Sequence, residues 1–372
     1  MNSTSPQRLI PKVDNECTTL LNVLQKEFGG KLNLARIKFL TLMLKALCKV
    51  QTVNFERLAI GFDSSAQCAS SLRRIQRFVA GFDLCEELIA KFIFKLLPDN
   101  EQVGLSMDRT NWKFGQTNIN ILALGITYKG VAFPLLFKLL PKFGNSNTQE
   151  RIELMEKFNQ LFGFSKIKFL VADREFIGQE WLDYLNQNHI PYHIRIRDNF
   201  HVTLPKNRRK VRASWLFSGL KQGQVKHYPK IVIINNVFCY LSASVIKSKT
   251  GQLEYQFLIS FKKPENALEC YKDRWQIETM FRAMKTSGFN IEKTHLTDMD
   301  RILKLLLIVA IAFTWAYIVG DFLHQNIKAI PIKKHGRRAI SIFKYGLNYI
   351  ANSLLNTGFK RSMNIFDFLS CT

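Results

Sequence analysis

The stretch Lys168-Phe169-Leu170-Val171-Ala172-Asp173 limits the fold of this chain more than any other. Its four central residues are all apolar, with no polar alternation, and an acid closes the run. A strand with one face in water alternates polar and apolar residues. A strand without alternation is buried on both faces, as in a parallel sheet covered by helices. The neighbouring patterns supply such a sheet. Strands are expected at Val103–Asp108, Ile119–Tyr128 and Val131–Leu139, with Thr127-Tyr128-Lys129-Gly130 turning the last pair into a hairpin. A helix is expected at Thr148–Phe162, another at Gly178–Asn188, and a strand at Tyr192–Ile196. The fold class is therefore α/β, a mixed sheet with helices on both faces.

The rest of the chain divides around this core. Residues 1–97 read as a run of helices and form an expected all-helical DNA-binding domain. Within it a short helix, Asn54–Ile60, is followed by a turn and a basic helix. There Arg73, Arg74 and Arg77 share one face, and Leu72, Ile75 and Val79 take the other. Two readings stay open, a helix-turn-helix-like DNA reader and a bundle with a solvated basic face. The core is expected over 98–198 and 263–323, split by a β-rich insertion at 199–262. The insertion carries a basic loop, Lys206, Arg208, Arg209, Lys210 and Arg212, too charged to be core. One helix is expected from Pro264 to Ser287, then an apolar one from Leu303. Its segment Leu305–Gly320 is shorter than the roughly 20 residues of a bilayer span, so it reads as a buried core helix. The tail, 324–372, is basic at Lys333, Lys334, Arg337 and Arg338, then amphipathic.

Charge narrows the partner. Lys and Arg number 53 against 29 Asp and Glu, a net charge of +24. Such an excess calls for a polyanion, nucleic acid or an anionic membrane surface. The seven cysteines are scattered and form no Cys-x-x-Cys pair. They read as reduced thiols, mostly core filler, in a cytoplasmic protein. Residues 1–14 contain no apolar signal core. No Gly-x4-Gly-Lys-Ser/Thr loop points to ATP.

The chemistry gathers around Glu278. Tyr271, Arg274, Glu278 and Lys285 stand at offsets that bring all four within about 60° of one helix face, with Arg282 on the same side. Cys270, Ile277, Met280 and Met284 take the core side. A solvated face with ion pairs gives the same spacing, as does a carboxylate flanked by a phenol and cations. Asp108 and Asp173 end two of the expected strands, where sheet proteins form their ligand crevice. An Asp at a strand end is also a common turn or cap residue. Two strand-end carboxylates and one from a helix suit two Mg²⁺ ions about 4 Å apart, or Mn²⁺, and not zinc. Such a pair serves in-line phosphoryl displacement. Glu175, Asp183 and Asp198 are rival acids. His189, His193 and His201 lack companion ligands and read as structural.

These residues resemble the DDE transposases of bacterial insertion sequences, family four, whose signature is Tyr-x2-Arg-x3-Glu-x6-Lys. Tyr271, Arg274, Glu278 and Lys285 match all four positions. The blocks Ser106-Met107-Asp108-Arg109-Thr110-Asn111-Trp112 and Ala172-Asp173-Arg174-Glu175-Phe176 resemble that family's strand-end acids. So does the stretch from Phe281 to Leu296, and the similarity runs from about Val103 to Val319. The resemblance implies a ribonuclease-H-like core with a β-rich insertion before the Glu helix. It implies Asp108, Asp173 and Glu278 as catalytic ligands of two metal ions. Tyr271, Arg274 and Lys285 would hold phosphates of the transposon end, joined on charge by Arg282, Arg73, Arg74, Arg77, Arg208, Arg209 and Lys210. Cut-and-paste movement through a hairpin, by a homodimer on double-stranded transposon-end and target DNA, is likewise implied. The expected location is the bacterial cytoplasm, with the nucleoid. In related enzymes an insertion aromatic stacks on a flipped base. Trp215 is the insertion's tryptophan, and Trp275 stands beside the signature with a packing role equally open. Two other classes remain in view, a catalytically dead DNA-binding descendant and a peripheral membrane protein.

Overall fold

The computed structural model describes residues 15–98, 101–247, 251–262, 264–356 and 363–370. The chain forms two compact units, Met1–Phe78 with Trp315–Thr372, and Val79–Thr314. The N-terminal helices thus share a unit with the end of the chain.

The first unit opens with α1 (Asn15–Phe28), α2 (Leu34–Val50), α3 (Phe55–Ile60) and α4 (Cys68–Gly81). Asparagine starts two of them. Asn33 Oδ1 accepts from Arg36 N at 3.0 Å and Asn54 Oδ1 from Arg57 N at 3.0 Å. Each side chain takes up a backbone donor that the first turn leaves unpaired. On α4 the amphipathic pattern is realised, with Ile75 and Val79 buried and Arg73, Arg74 and Arg77 exposed.

The second unit carries α5 (Glu86–Lys95) and an eleven-stranded sheet. It begins with β1 (Val103–Phe114), β2 (Thr117–Tyr128) and β3 (Val131–Leu140), paired antiparallel. Lys129 and Gly130 both take positive φ, as a tight hairpin turn demands. β3 is an edge strand. Its Pro134 sits at a register shift, where a missing N–H costs least. Its free Phe137 N donates to Glu86 of α5 at 2.8 Å. After α6 (Thr148–Phe162) come β4 (Ile167–Ala172), α7 (Gln179–Gln187) and β5 (Tyr192–Ile196). β4 runs parallel to both β1 and β5. This is the buried parallel strand that the apolar run requires.

Residues 199–262 follow, with short strands β6 (His201–Thr203), β7 (Lys210–Arg212), β8 (Val225–His227) and β9 (Val232–Ile234), then long strands β10 (Val237–Lys247) and β11 (Leu253–Ser260). β11 pairs with β5 and β10 with β11, so residues 199–262 continue the same sheet. The strand order is β3-β2-β1-β4-β5-β11-β10-β9-β6-β7, with β8 on β10.

Two expectations need correction. β1 does not stop at Asp108 but continues six residues to Phe114, because its outer half pairs with β2. The single helix expected from Pro264 to Ser287 is three pieces, α8 (Ala267–Lys272), α9 (Trp275–Arg282) and a π-helical turn at Ala283–Ser287. Neither glycine nor proline lies between Ala267 and Ser287, so tertiary contacts set the break. The α8 side of the sheet holds a core of Phe169, Val171, Leu258, Ala267 and Tyr271.

The chain ends with α10 (Met299–Phe322) and α11 (Ile342–Leu355). α10 is the one helix among the described residues long and apolar enough to cross a membrane, and most of its apolar surface is buried. Glycines let α10 and α11 touch backbone to backbone. A Cβ at Gly346 would lie 1.9 Å from Ala316 O, and one at Gly320 would lie 2.0 Å from Ile342 O. Of the cysteines, Cys48 and Cys239 are core, but Cys68 and Cys85 are exposed, so they do not fill the interior. The Cys17 side chain, Cys371 and residues 1–14 lie outside the described residues.

Candidate active site

Strand register brings two acids together. β1 and β4 run parallel with Met107 opposite Ala172, so Asp108 and Asp173 follow at neighbouring positions. Ser106, two residues before Asp108, points its hydroxyl at Arg274 O, 3.5 Å away. Side chains alternate along a strand, so Asp108 faces α9 as well, and Arg109 faces the opposite side.

Compensation of the carboxylates is partial. Asp108 Oδ1 accepts from Arg109 N at 2.7 Å. Burial nonetheless pushes the Asp108 carboxyl up to about 7, against that bond and the pull of Arg274, with Glu175 and Asp173 adding repulsion. Asp173 Oδ1 is buried and has no hydrogen-bond partner. A buried carboxylate oxygen without a donor is costly unless a cation meets it.

The third candidate acid, Glu278, pairs with Arg274. This residue stands at the α8–α9 break, with its side chain 5% exposed. Its Nη1 lies 2.8 Å from Glu278 Oε1 and 3.9 Å from Asp108 Oδ2. The guanidinium also lies 4.3 Å from the Trp275 ring centre and 5.9 Å from that of Tyr271. Burial works against its charge, but Tyr271, Glu278 and Asp173 together hold its pKa above the ordinary value. The Arg274 Nε and the Tyr271 hydroxyl are both buried without a hydrogen-bond partner. Burial also raises the Tyr271 phenol, so it stays protonated at neutral pH. Among the described residues, no three His, Cys, Asp or Glu side chains close into a metal cage.

Lys285 lies on the π-helical turn, where the 100° rule no longer applies. Its Nζ donates to Asn111 O at 3.0 Å, pairs with Glu292 at 2.8 Å and lies 5.3 Å from the Trp112 ring centre. The structure therefore brings Tyr271, Arg274 and Glu278 together, while Lys285 turns to Asn111, Glu292 and Trp112, and both Arg274 and Lys285 are engaged internally. Arg282 is exposed, as are Arg208, Arg209 and Lys210 on the insertion. Trp215 and Trp275 are exposed at 62% and 53%. Of the histidines, His193 shares a hydrogen bond with Ser260 Oγ at 2.8 Å, and burial depresses its pKa to about 4. It is neutral and structural.

One network was passed over in the sequence. On the opposite side of the sheet, Arg109 reaches Asn120 Oδ1 at 3.0 Å, Asn145 Oδ1 at 3.1 Å and both oxygens of Glu175 at 3.4 Å. Arg151 on α6 donates to Glu175 O at 3.1 Å and to Ser146 Oγ at 2.9 Å. Arg109 follows Asp108 and Glu175 lies two residues past Asp173, so this bridge ties the two acid-bearing segments together. Strand alternation gives the clue, since Arg109 must face away from Asp108. Its partners are not legible from spacing.

The residues fit a hard divalent cation. Asp108 and Asp173 offer oxygens only, one of them buried and unpartnered, and such donors suit Mg²⁺ or Mn²⁺. The family described as "Transposase DDE domain" matches residues 101–315, more than half of the chain. No curated protein matches it.

Proposed function

The chain belongs to the transposase DDE-domain family, and from that premise we propose that it cleaves and rejoins DNA at the inverted-repeat ends of its own insertion sequence. Asp108, Asp173 and Glu278 are the catalytic carboxylates of this reading. The observation that carries it is the pairing of Asp108 and Asp173 at adjacent strand positions, with Asp173 Oδ1 buried and unpartnered. Divalent ions bound there would stabilise the attacking and leaving oxygens of a phosphodiester. Glu278 joins this pair when its bond to Arg274 opens.

The remaining parts of the proposal concern DNA. Arg274, released from Glu278, has a fork suited to grip a phosphate, and Lys285 supplies a point charge. Tyr271 keeps its proton and can donate to a phosphate oxygen. Arg282, the α4 face of Arg73, Arg74 and Arg77, and the insertion loop of Arg208, Arg209 and Lys210 are exposed and free to meet the backbone. In this reading residues 1–97 recognise the end, 199–262 embrace it, and a homodimer cuts and pastes through a hairpin, as in family four. The test is a Mg²⁺-dependent time course on duplexes taken from the DNA flanking the gene, resolving nicked, hairpin and cut products. Nicking that Asp108→Ala or Asp173→Ala abolishes while DNA retention persists supports the proposal. DNA retention without nicking in the unaltered protein overturns it in favour of a non-catalytic DNA-binding protein.

A further inference from the structure

We propose that residues 331–339 form a basic β-ribbon that docks on duplex DNA, a contact separate from the carboxylate site and from the α4 and insertion clusters. The inference rests on the transposase reading for its partner class and on the following geometry for its place. Lys333 N donates to Arg337 O at 2.8 Å and Ala339 N to Pro331 O at 2.8 Å, flanking an antiparallel bridge between Ile332 and Arg338. Gly336 N closes the turn onto Lys333 O at 2.8 Å, and Gly336 takes φ of +78°. This is a three-residue hairpin loop with glycine at its left-handed position. Its base is pinned, with Ile330 buried and Ile330 N donating to His324 Nδ1 at 2.8 Å.

Register then places every cation. Ile332 and Arg338 are opposite each other and share one face. Lys333 and Arg337 share the other, and Lys334 and His335 form the tip. All nine residues from 331 to 339 are exposed, with Ile332 at 62%. Among the described residues no acidic side chain pairs with Lys333, Lys334, Arg337 or Arg338. Residues 322–366 contain no Asp or Glu at all. Like charges across a two-stranded ribbon repel, and an isolated hairpin of this size buries nothing to offset them. A solvated loop would gain from acids here. The chain instead holds four permanent cations on a fixed ribbon. A two-stranded ribbon fits the major groove of B-DNA, with phosphates to either side of it.

The experiment measures affinity of the full chain for a 40-base-pair mixed-sequence duplex across a salt series. If the four cations each neutralise one phosphate, the variant K333A/K334A/R337A/R338A lowers the salt slope by about 3.6. The unaltered protein then loses about 150-fold more affinity than the variant between 50 and 200 mM salt. The pairs K333Q/K334Q and R337Q/R338Q each lower the slope by about 1.8, about 12-fold over the same salt range, and R337K/R338K keeps the unaltered slope. A steep slope in the unaltered protein that the quadruple variant leaves unchanged overturns the ribbon proposal alone. Lost flotation with phosphatidylserine vesicles, at unchanged DNA slope, overturns it in favour of a lipid surface. If the unaltered protein shows no salt-dependent DNA binding, the transposase reading falls first.

Discussion

Replacing Asp108 by Asn asks directly whether the acid pair is held at a cost to the metal-free fold. Asn has the shape of the neutral acid and keeps an oxygen for Arg109 N, which donates to Asp108 Oδ1 at 2.7 Å. The Asp108 carboxyl rises from 3.8 in the unfolded chain to about 7 in the fold. Between those values the folded state binds more protons than the unfolded state. Stability must therefore fall as pH rises through that window and level off above about 7. Three units correspond to about 4 kcal/mol. Relative to the unaltered protein, Asp108→Asn should gain almost nothing at pH 4 and about 4 kcal/mol at pH 8. Urea unfolding of both proteins, without divalent ions, at several pH values measures this. Adding Mg²⁺ or Mn²⁺ at pH 8 should then stabilise only the unaltered protein, since a ligand of the folded state adds stability by mass action. A difference that does not vary with pH, or a variant less stable at pH 8, would refute the assignment of Asp108 to an uncompensated site.

Gly346→Val places side-chain atoms where a Cβ alone would lie 1.9 Å from Ala316 O, and should cost about 3 kcal/mol, the upper end of typical overpacking, read as a lower urea midpoint. Arg109→Lys keeps the charge but loses the fork to Asn120, Asn145 and Glu175. It should reduce cleavage about tenfold while leaving DNA affinity unchanged, and equal loss of both would make Arg109 a DNA contact. Arg274→Ala removes the cation between Asp108 and Glu278. Mn²⁺ should then bind more tightly in the absence of DNA, by titration calorimetry, while hairpin formation is lost. Across the whole protein, neutralisation of 6–10 phosphates would weaken DNA binding by about 10³–10⁵ between 50 and 200 mM salt, and a salt-independent affinity would exclude a mainly electrostatic interface.

Local chemistry made much of this molecule legible from its residues. The unbroken run before Asp173 could only be a strand buried on both faces, and β4 lies between two parallel neighbours. The alternation on α4 required Ile75 and Val79 inside and the arginines outside. The tyrosine, arginine, glutamate and lysine spacing with the two strand-end acids pointed to a DDE transposase, and the transposase DDE-domain family matches residues 101–315. Each of these signals spans a few residues, where periodicity and hydropathy decide the outcome.

What the sequence left undecided depends on partners far along the chain. The apolar pattern of β1 fades at Asp108, yet the strand continues because Asn111 lies opposite Asn120 on β2. Nothing local interrupts the helix at residue 273. Gln276 accepts from Tyr128 N at 2.7 Å, Arg274 turns inward toward Asp108, and the helix divides just before them, at Asp273–Arg274. At that break the Arg274 guanidinium lies between Asp108 and Glu278. Strand register set Asp108 beside Asp173, and the packing of α9 on the sheet set Arg274 against Asp108. Neither contact has a local signature, since residues 65 or 166 positions apart meet only when the sheet and its covering helices have packed.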